Sequence, residues 1–505
     1  MTYRDSYLRG PFDNSYTTMS KLHRAAVRYK HTARTAGDLM KPADFSKYSP
    51  VRPIREGIAP YVVETMNAYP AKSRYINQQH YYQNRTNLVN DYAMREPHPV
   101  SLLQLAQYYD DSAALTKQKI INSGKFVKEE LAIRIAGKIT ALQQLPFNVL
   151  NNFHFLQVYE SYYNIFERFR KFPAIKTMDD NLEFAEFIRK ILQDFNSLNL
   201  PHLIMGALEC TTFDLYPRDK MDMLLSDLLR SRISRRLIVE EHLSVTSNFV
   251  SGKKENTLVL GDIFQECSAQ QYLLNAAREC ERFVQGMYFP AIPLPELKIE
   301  GAVDLKFQFL PTHLKYLLGE ILRNAYDATI QEYIRRGLDR PAPITVTIVE
   351  NPDSYIFRIS DQAGGLINSN EDLWSFGKSK ERAKESLDNF HRLPGLQSIS
   401  IYDDMYDTCI SPSLKAAKPY INTSLAPTGQ WNVSKGKYKF EQPIIELLKR
   451  PFRYKLGVGL AMCKVYAEYW NGDLRVHSMP GYGVDAVLTL GNLMKSTAKK
   501  QLDRV

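Results

Sequence analysis

Three polar residues recur with helical spacing in the stretch that runs from Pro311 to Arg336. Glu320, Asn324 and Asp327 stand at i, i+4 and i+7, so a helix places them along one stripe. A carboxylate, a carboxamide and a second carboxylate are oxygen ligands of the kind that Mg²⁺ prefers. The stripe therefore indicates a metal site, and the alternative is the solvated face of an amphipathic helix.

The apolar residues of the same stretch predict the helix that must carry this stripe. They recur at intervals of three and four residues, which is the pattern of a buried helix face: Leu314, Leu318, Ile321, Leu322 and Ala325. The stretch thus predicts one helix with a core face and a polar face.

A second motif begins with Asp361 and ends with the glycine pair at 364 and 365, directly after the strand-like run SYIFRIS. An aspartate at a strand end is able to accept a hydrogen bond from an adenine amino group. The glycines allow the backbone to approach a ligand closely. An ordinary strand-to-loop turn is the alternative explanation.

Two further glycine motifs follow. Gly457-Val-Gly459-Leu460 precedes the helical run AMCKVYAEYW, and free amides at a helix N-terminus bind phosphate. Gly481-Tyr-Gly483 lies in the last predicted hairpin. Each motif alone is weak, because a helix entry or a turn would explain it. Together with the helix stripe, in this order and each on the expected element, they favour a nucleotide site.

The first half of the chain predicts helices almost throughout. From about residue 51 to 249, apolar residues recur at three- and four-residue spacing. Pro146, Pro173 and Pro201 are predicted to end helices, because proline lacks the amide donor. Antiparallel helices with short connections predict a four-helix bundle over 61–250.

The second half, residues 255–495, predicts a mixed β-sheet with helices on one face, an α+β sandwich. Strand-like runs alternate with helical ones, and Glu266–Met287 reads as a helix. Residues 380–453 have little pattern, which is typical of a lid or a disordered insertion. The basic tail 496–505 is expected to be mobile.

Composition narrows the class of protein. The chain has 505 residues, a net charge of +10 and five scattered cysteines, which predicts a reducing compartment rather than a disulfide scaffold. We find no run of 18 uncharged apolar residues, so no transmembrane helix is predicted. Much of the positive charge lies in the first 75 residues and forms no stripe, so nucleic acid is not a predicted partner. Residues 1–60 have the composition of a mitochondrial transit peptide, with a disordered basic arm as the alternative.

The four motifs resemble the N, G1, G2 and G3 boxes of the GHKL ATPases. They are most similar to those of the mitochondrial pyruvate and branched-chain 2-oxoacid dehydrogenase kinases. The helical half is similar as well, in IRIAGKITALQQLP and LLRSRISRRLIVEEH, so the resemblance covers roughly residues 60–490. It implies an N-terminal helical bundle followed by a GHKL α/β-sandwich ATP-binding domain, and a fungal-type member of this family.

The resemblance also implies roles for individual residues. Glu320 would orient and activate the acceptor serine hydroxyl, Asn324 would bind Mg²⁺, and Asp361 would bind adenine. The other implied nucleotide-binding residues are Arg323, Asp327, Gly365, Ser379, Lys380, Leu456, Gly457, Val458, Gly459 and Leu460.

Several residues depart from the family pattern. Tyr316 stands where the family often has a histidine, with His313 nearby, and Asp327 stands where relatives usually carry arginine. Ala363 replaces a glycine of the second motif, and Val484 replaces a common threonine. These departures lie on the helix of the predicted base and in the motifs of the predicted adenine site.

The expected function is a mitochondrial matrix serine kinase that uses ATP and Mg²⁺ to phosphorylate and inactivate the E1 component of pyruvate dehydrogenase. Docking on the E2 lipoyl domain and a homodimer are implied by the resemblance. The alternatives are a branched-chain 2-oxoacid dehydrogenase kinase, a histidine autokinase that uses His242, and an ATP-binding scaffold with a degenerate site.

Overall fold

The computed structural model describes residues 84–99, 101, 115–150, 152–252, 263–287, 292–366, 373–392, 447–448, 450, 452 and 454–494. The predicted transit peptide, the tail, and residues 393–446 of the predicted lid lie outside this part of the chain. No helix within it has both the length and the apolar character that crossing a membrane requires.

The first half of the described chain is helical. Its long helices are α1 (Lys117–Gln143), α2 (Phe153–Lys171), α3 (Met178–Thr212) and α4 (Arg218–Ser251). Both α1 and α3 contact each of the other three, and a π-helix at Asn84–Ala93 packs on α1. The shared interior consists of aliphatic and aromatic side chains, so this half has a core of its own.

Two of the three prolines end helices as predicted. The bounds of α1 and α2 stop just before Pro146 and Pro173. The prediction for Pro201 is wrong, because this residue lies inside α3. Its neighbours Leu200 and Leu203 are fully buried, and each contributes about 1.5–3 kcal/mol. Their burial therefore offsets the cost of about 3 kcal/mol for proline inside a helix.

The second half alternates strands and helices. Its described elements are β1 (Gln265–Ser268), α5 (Ala269–Met287), β2 (Leu297–Gly301), β3 (Lys306–Phe309), α6 (Pro311–Arg336), β4 (Ile344–Glu350), β5 (Ser354–Asp361), α7 (Lys380–Arg392), α8 (Gly459–Tyr469), β6 (Asp473–Met479) and β7 (Gly483–Gly491). The predicted helix at Glu266 begins later than expected. Residues 265–268 instead form β1, which pairs antiparallel with β3 and buries Cys267.

The main sheet is mixed, as predicted. Its described strands lie in the order β2-β4-β5-β7-β6, with β2 and β4 parallel and the other neighbours antiparallel. Ile344, Val346 and Ile348 alternate along β4 and are buried. The helix α6 packs on β5, and α8 packs on β6 and β7. The sheet therefore supports α6 and α8, the helices that carry the polar stripe and the end of the glycine motif at 457–460.

The beginning of the predicted lid is ordered, contrary to the expectation of an unpatterned segment from residue 380. The helix α7 occupies Lys380–Arg392 and packs on α3 of the helical half. Ala383, Leu387 and Phe390 are fully buried and stand at i, i+4 and i+7, which is a helix stripe. Three apolar residues among thirteen mostly polar ones give too weak a periodicity to predict this helix from sequence.

Candidate active site

The helix α6 forms as its sequence predicts. Pro311 occupies its first turn, where a missing amide costs nothing, and Gly337 ends it in a left-handed conformation with φ of 61°. All five residues of the predicted apolar face are buried. This packing fixes the direction in which the polar stripe points.

The polar stripe divides into two paired acids and one exposed amide. Glu320 is only 1% exposed, whereas Asn324 is exposed and Asp327 is partly buried. Arg450 binds both carboxylate oxygens of Glu320, and the Lys455 ammonium lies 2.8 Å from the Asp327 carboxylate. Asn324 therefore lies on the helix between two ion pairs, with its carboxamide open to a ligand.

The glycine motif at 457–460 lies directly against this stripe. Gly457 has φ of 72°, a conformation that glycine adopts without strain. Gly459 begins α8 and touches the Glu320 carboxylate: a Cβ at this position would overlap Oε2 and lie 3.1 Å from Cδ. Val458 and Leu456 are buried and Leu460 is partly buried, so the apolar members anchor the loop.

Asp361 lies at the end of β5 and is 8% exposed. Its Oδ1 accepts hydrogen bonds from the amides of Ala363 at 3.0 Å and Val484 at 3.3 Å. Within the described part of the chain these bonds engage Oδ1 only, so Oδ2 is available to an amino donor. Burial raises the pKa of this carboxyl above its ordinary value.

These two hydrogen bonds bear on the departures at 363 and 484. Both residues hold Asp361 through backbone amides, which alanine and valine supply as well as any other residue. Alanine at 363 and valine at 484 therefore leave the support of Asp361 intact.

The second and fourth motifs are joined to each other. The Gly364 amide donates to the Tyr482 carbonyl at 3.0 Å, and the Gly481 amide donates to the Gly364 carbonyl at 2.7 Å. Gly365 has φ of 82°, and a Cβ there would lie 2.5 Å from the Met479 carbonyl oxygen. Only glycine permits this approach, so these glycines close the edge of the site next to Asp361.

Three predicted nucleotide-binding residues make other contacts. Arg323 is buried, with its guanidinium 5.3 Å from the ring centre of Phe283 and 4.6 Å from that of Phe452. Ser379 caps α7, with its hydroxyl 3.4 Å from the Arg382 amide. Lys380 pairs with Asp214 of the helical half at 3.0 Å. Their roles toward a nucleotide stay predictions.

The side chain beside Gly457 is that of Lys378, two residues before Lys380. Its Cε lies 3.3 Å from the position of a Cβ on Gly457. Sequence reasoning did not select Lys378, Arg450 or Lys455. The basic run KRPFRYK at 449–455, just before the glycine motif, was the available signal for the last two, since it complements the carboxylates of α6.

His242, the candidate acceptor of a histidine autokinase, is 1% exposed on α4. Its Nδ1 lies 3.0 Å from the Ser123 hydroxyl, and burial lowers its pKa to about 4. A buried, neutral imidazole packed between helices is inaccessible to a phosphate donor, so the structure disfavours this alternative.

Comparisons with known proteins identify the family of the chain. The family model described as mitochondrial branched-chain alpha-ketoacid dehydrogenase kinase matches residues 99–264. The mitochondrial [pyruvate dehydrogenase (acetyl-transferring)] kinase 2 of Saccharomyces cerevisiae is 66% identical, over 96% of this chain and 100% of its own length. Isozyme 4 of the corresponding human kinase is 23% identical over 82% of this chain and 85% of its own length, and the Arabidopsis thaliana kinase is 24% identical over 75% and 87%.

The 66% identity over nearly the whole of both chains shows more than a shared fold, because the helical half and the sheet half match together. On this ground, the chain belongs to the family of mitochondrial pyruvate and branched-chain 2-oxoacid dehydrogenase kinases.

Proposed function

We propose that this protein is a mitochondrial serine kinase that phosphorylates and inactivates the E1 component of the pyruvate dehydrogenase complex with Mg-ATP. The observation that carries the proposal is the 66% identity to a yeast pyruvate dehydrogenase kinase over 96% of the chain. The arrangement around α6 supports the chemistry, because phosphoryl transfer depends chiefly on positioning and on neutralising charge.

Asn324 is the proposed ligand of Mg²⁺. Its carboxamide is exposed on α6, while the carboxylates on either side are paired with Arg450 and Lys455. An oxygen donor of this type suits Mg²⁺, which keeps several of its waters and takes few protein ligands. When bound, Mg²⁺ supplies positive charge to the phosphate oxygens.

The glycine loop is the proposed phosphate cradle. Without side chains at Gly457 and Gly459, a phosphate is able to approach the amides that begin α8, which favour an anion. Asp361, held through Oδ1, would accept from the adenine amino group through Oδ2. The sheet edge and the start of α8 would thus bind opposite ends of ATP.

Glu320 is the proposed residue that orients the acceptor serine hydroxyl and takes its proton. Its carboxylate touches Gly459 at the start of the phosphate cradle. A base held beside the transferred group contributes mainly by positioning the nucleophile.

For the helical half, we propose a four-helix bundle formed by α1 to α4 over the domain 61–250. The bundle would dock on the lipoyl domain of E2 and contribute to a homodimer. The domain 255–495 would then be the kinase domain, with residues 380–453 as its lid. Membership of the family supports these assignments and a location in the mitochondrial matrix.

Transfer of radiolabelled phosphate from ATP to purified E1 proteins tests the proposal. We expect acid-stable label on a serine of pyruvate dehydrogenase E1. Label confined to branched-chain 2-oxoacid dehydrogenase E1 would instead support the function that the matching family model describes. ATP binding without transfer to either E1 would refute a kinase function, and acid-labile label on this chain would indicate an autokinase.

A further inference from the structure

The residues on its own helix do not orient Glu320. Tyr316 precedes it by one turn, but the Tyr316 hydroxyl donates to Met462 Sδ at 3.5 Å. His313, another turn earlier, accepts a hydrogen bond at 2.9 Å from the Trp470 indole through Nδ1. Both side chains are buried and engaged with α8 and the residue after it. The orientation of the Glu320 carboxylate must therefore come from elsewhere.

Arg450 supplies that orientation. Its two terminal nitrogens bind the two carboxylate oxygens of Glu320, Nη1 to Oε1 at 2.5 Å and Nη2 to Oε2 at 2.9 Å. The side chains are 7% and 1% exposed. Nη1 also donates to the Leu447 carbonyl at 2.7 Å, so the guanidinium is itself fixed. A bidentate fork of this kind sets both the position and the plane of a carboxylate.

The contact leaves Glu320 capable of accepting a further hydrogen bond. An ionised carboxylate has about four lone-pair sites, and a bidentate arginine occupies two of them. Oε2 lies against Gly459, so the remaining capacity of this oxygen is next to the proposed phosphate cradle. Removal of the arginine would leave the buried Glu320 carboxylate without its partner, which favours displacement of the side chain.

We propose that Arg450 is a positioning residue for phosphate transfer: it holds the Glu320 carboxylate fixed beside the glycine loop, where it is placed to accept the proton of the acceptor hydroxyl. The inference rests on the proposed kinase function. A buried ion pair contributes little net stability to the fold, because the cost of desolvation offsets much of the attraction between the charges. Stability alone is therefore a weak explanation for the Arg450–Glu320 pair. Its place at the junction of α6 and the glycine loop fits positioning.

Kinetics of Arg450→Met and Arg450→Lys in the full chain test this role. The assay measures phosphate transfer to E1 and, separately, binding of a fluorescent ATP analogue. For Arg450→Met we expect kcat to fall by about 10- to 100-fold, since misplacement by roughly 1 Å has this effect. We expect affinity for the ATP analogue to stay within about threefold of that of the wild type, since Arg450 is assigned no contact with nucleotide. Lysine restores the charge without the fork, so Arg450→Lys should recover part of kcat.

Arg134→Met is the matched control. Arg134 pairs with Glu130 on α1, and these side chains are 5% and 1% exposed, much like Arg450 and Glu320. Loss of Arg134 should lower stability without changing kcat per folded molecule. The concentration of folded molecules is measured by binding of the ATP analogue. Unchanged or increased kcat in Arg450→Met, or an equal loss in Arg134→Met, would overturn the inference. A wild-type chain that fails to phosphorylate E1 would instead refute the proposed function.

Discussion

The contact between Gly459 and Glu320 predicts that Gly459→Ala lowers the free energy of unfolding, because a steric overlap outweighs the gain in helix propensity. Replacement of Gly459 by alanine adds a Cβ that would overlap Glu320 Oε2 and lie 3.1 Å from Cδ. The carboxylate is 1% exposed and paired with Arg450, so it cannot move away from the new methyl group into solvent. The variant must displace either the ion pair or the start of α8.

The two contributions differ in sign and size. Alanine is better than glycine inside a helix by about 1 kcal/mol, which would stabilise the variant. Disrupting a buried ion pair costs about 3–5 kcal/mol. The free energy of unfolding of Gly459→Ala should therefore fall by roughly 2–4 kcal/mol.

Urea unfolding of Gly459→Ala and of the control Gly137→Ala measures this difference. Gly137 lies within α1, and a Cβ there would meet nothing within 4 Å. The control should therefore gain up to about 1 kcal/mol from helix propensity alone. In a Glu320→Ala background the overlap no longer exists, so adding Gly459→Ala should raise stability rather than lower it.

A result in which Gly459→Ala is as stable as the wild type, or gains as much as Gly137→Ala, would refute this reasoning. So would a loss of the same size in the Glu320→Ala background. The first outcome would mean that the carboxylate does not touch Gly459, and the second that some other contact is responsible.

Three further variants test the site residues. Asn324→Ala should lose phosphate transfer by about 100-fold, and its unfolding free energy should stay within about 0.5 kcal/mol because the side chain is exposed; unchanged activity would remove Asn324 as a metal ligand. Glu320→Gln should lower kcat by about 10²- to 10⁴-fold and leave ATP affinity nearly intact, whereas the matched buried variant Glu130→Gln should lose stability only; equal losses of kcat and affinity would contradict the base. His242→Gln should keep phosphate transfer. Because burial lowers the His242 pKa from 6.5 to about 4, the unfolded chain binds the additional proton, and wild-type stability falls as the pH drops through this window. Thermal unfolding from pH 7 to 4 should show a smaller fall in the variant.

Much of the sheet half follows from local pattern. The run ITVTIVE alternates buried and less buried residues and forms β4, and α6 buries the face that its periodicity predicts. The failures were elements whose structure depends on distant partners. The strand β1 exists because β3 pairs with it, and α3 continues through Pro201 because its surroundings are packed.

In the candidate site, too, local motifs were predictable from the sequence and contacts between distant residues were not. The glycines and Asp361 were identifiable because their chemistry resides in short local motifs. The partners of the two carboxylates were not, because Arg450 is 130 residues from Glu320 along the chain and nothing local couples the two. The sequence predicted that the three polar residues share one stripe of α6, but it did not predict that Glu320 and Asp327 are paired and that Asn324 alone is exposed.

The packing of α7 on α3 joins the two halves of the chain and provides a route for thermodynamic coupling between them. Phe376, just before α7, also donates its amide to Asp222 on α4 at 2.7 Å, and Arg230 of α4 pairs with Glu468 of α8. A ligand that binds only the folded protein stabilises whatever unfolds together with its site. Nucleotide bound at the sheet would therefore stabilise the helical half. By reciprocity of linked equilibria, a partner whose binding shifts these helices changes the affinity for nucleotide by the same factor.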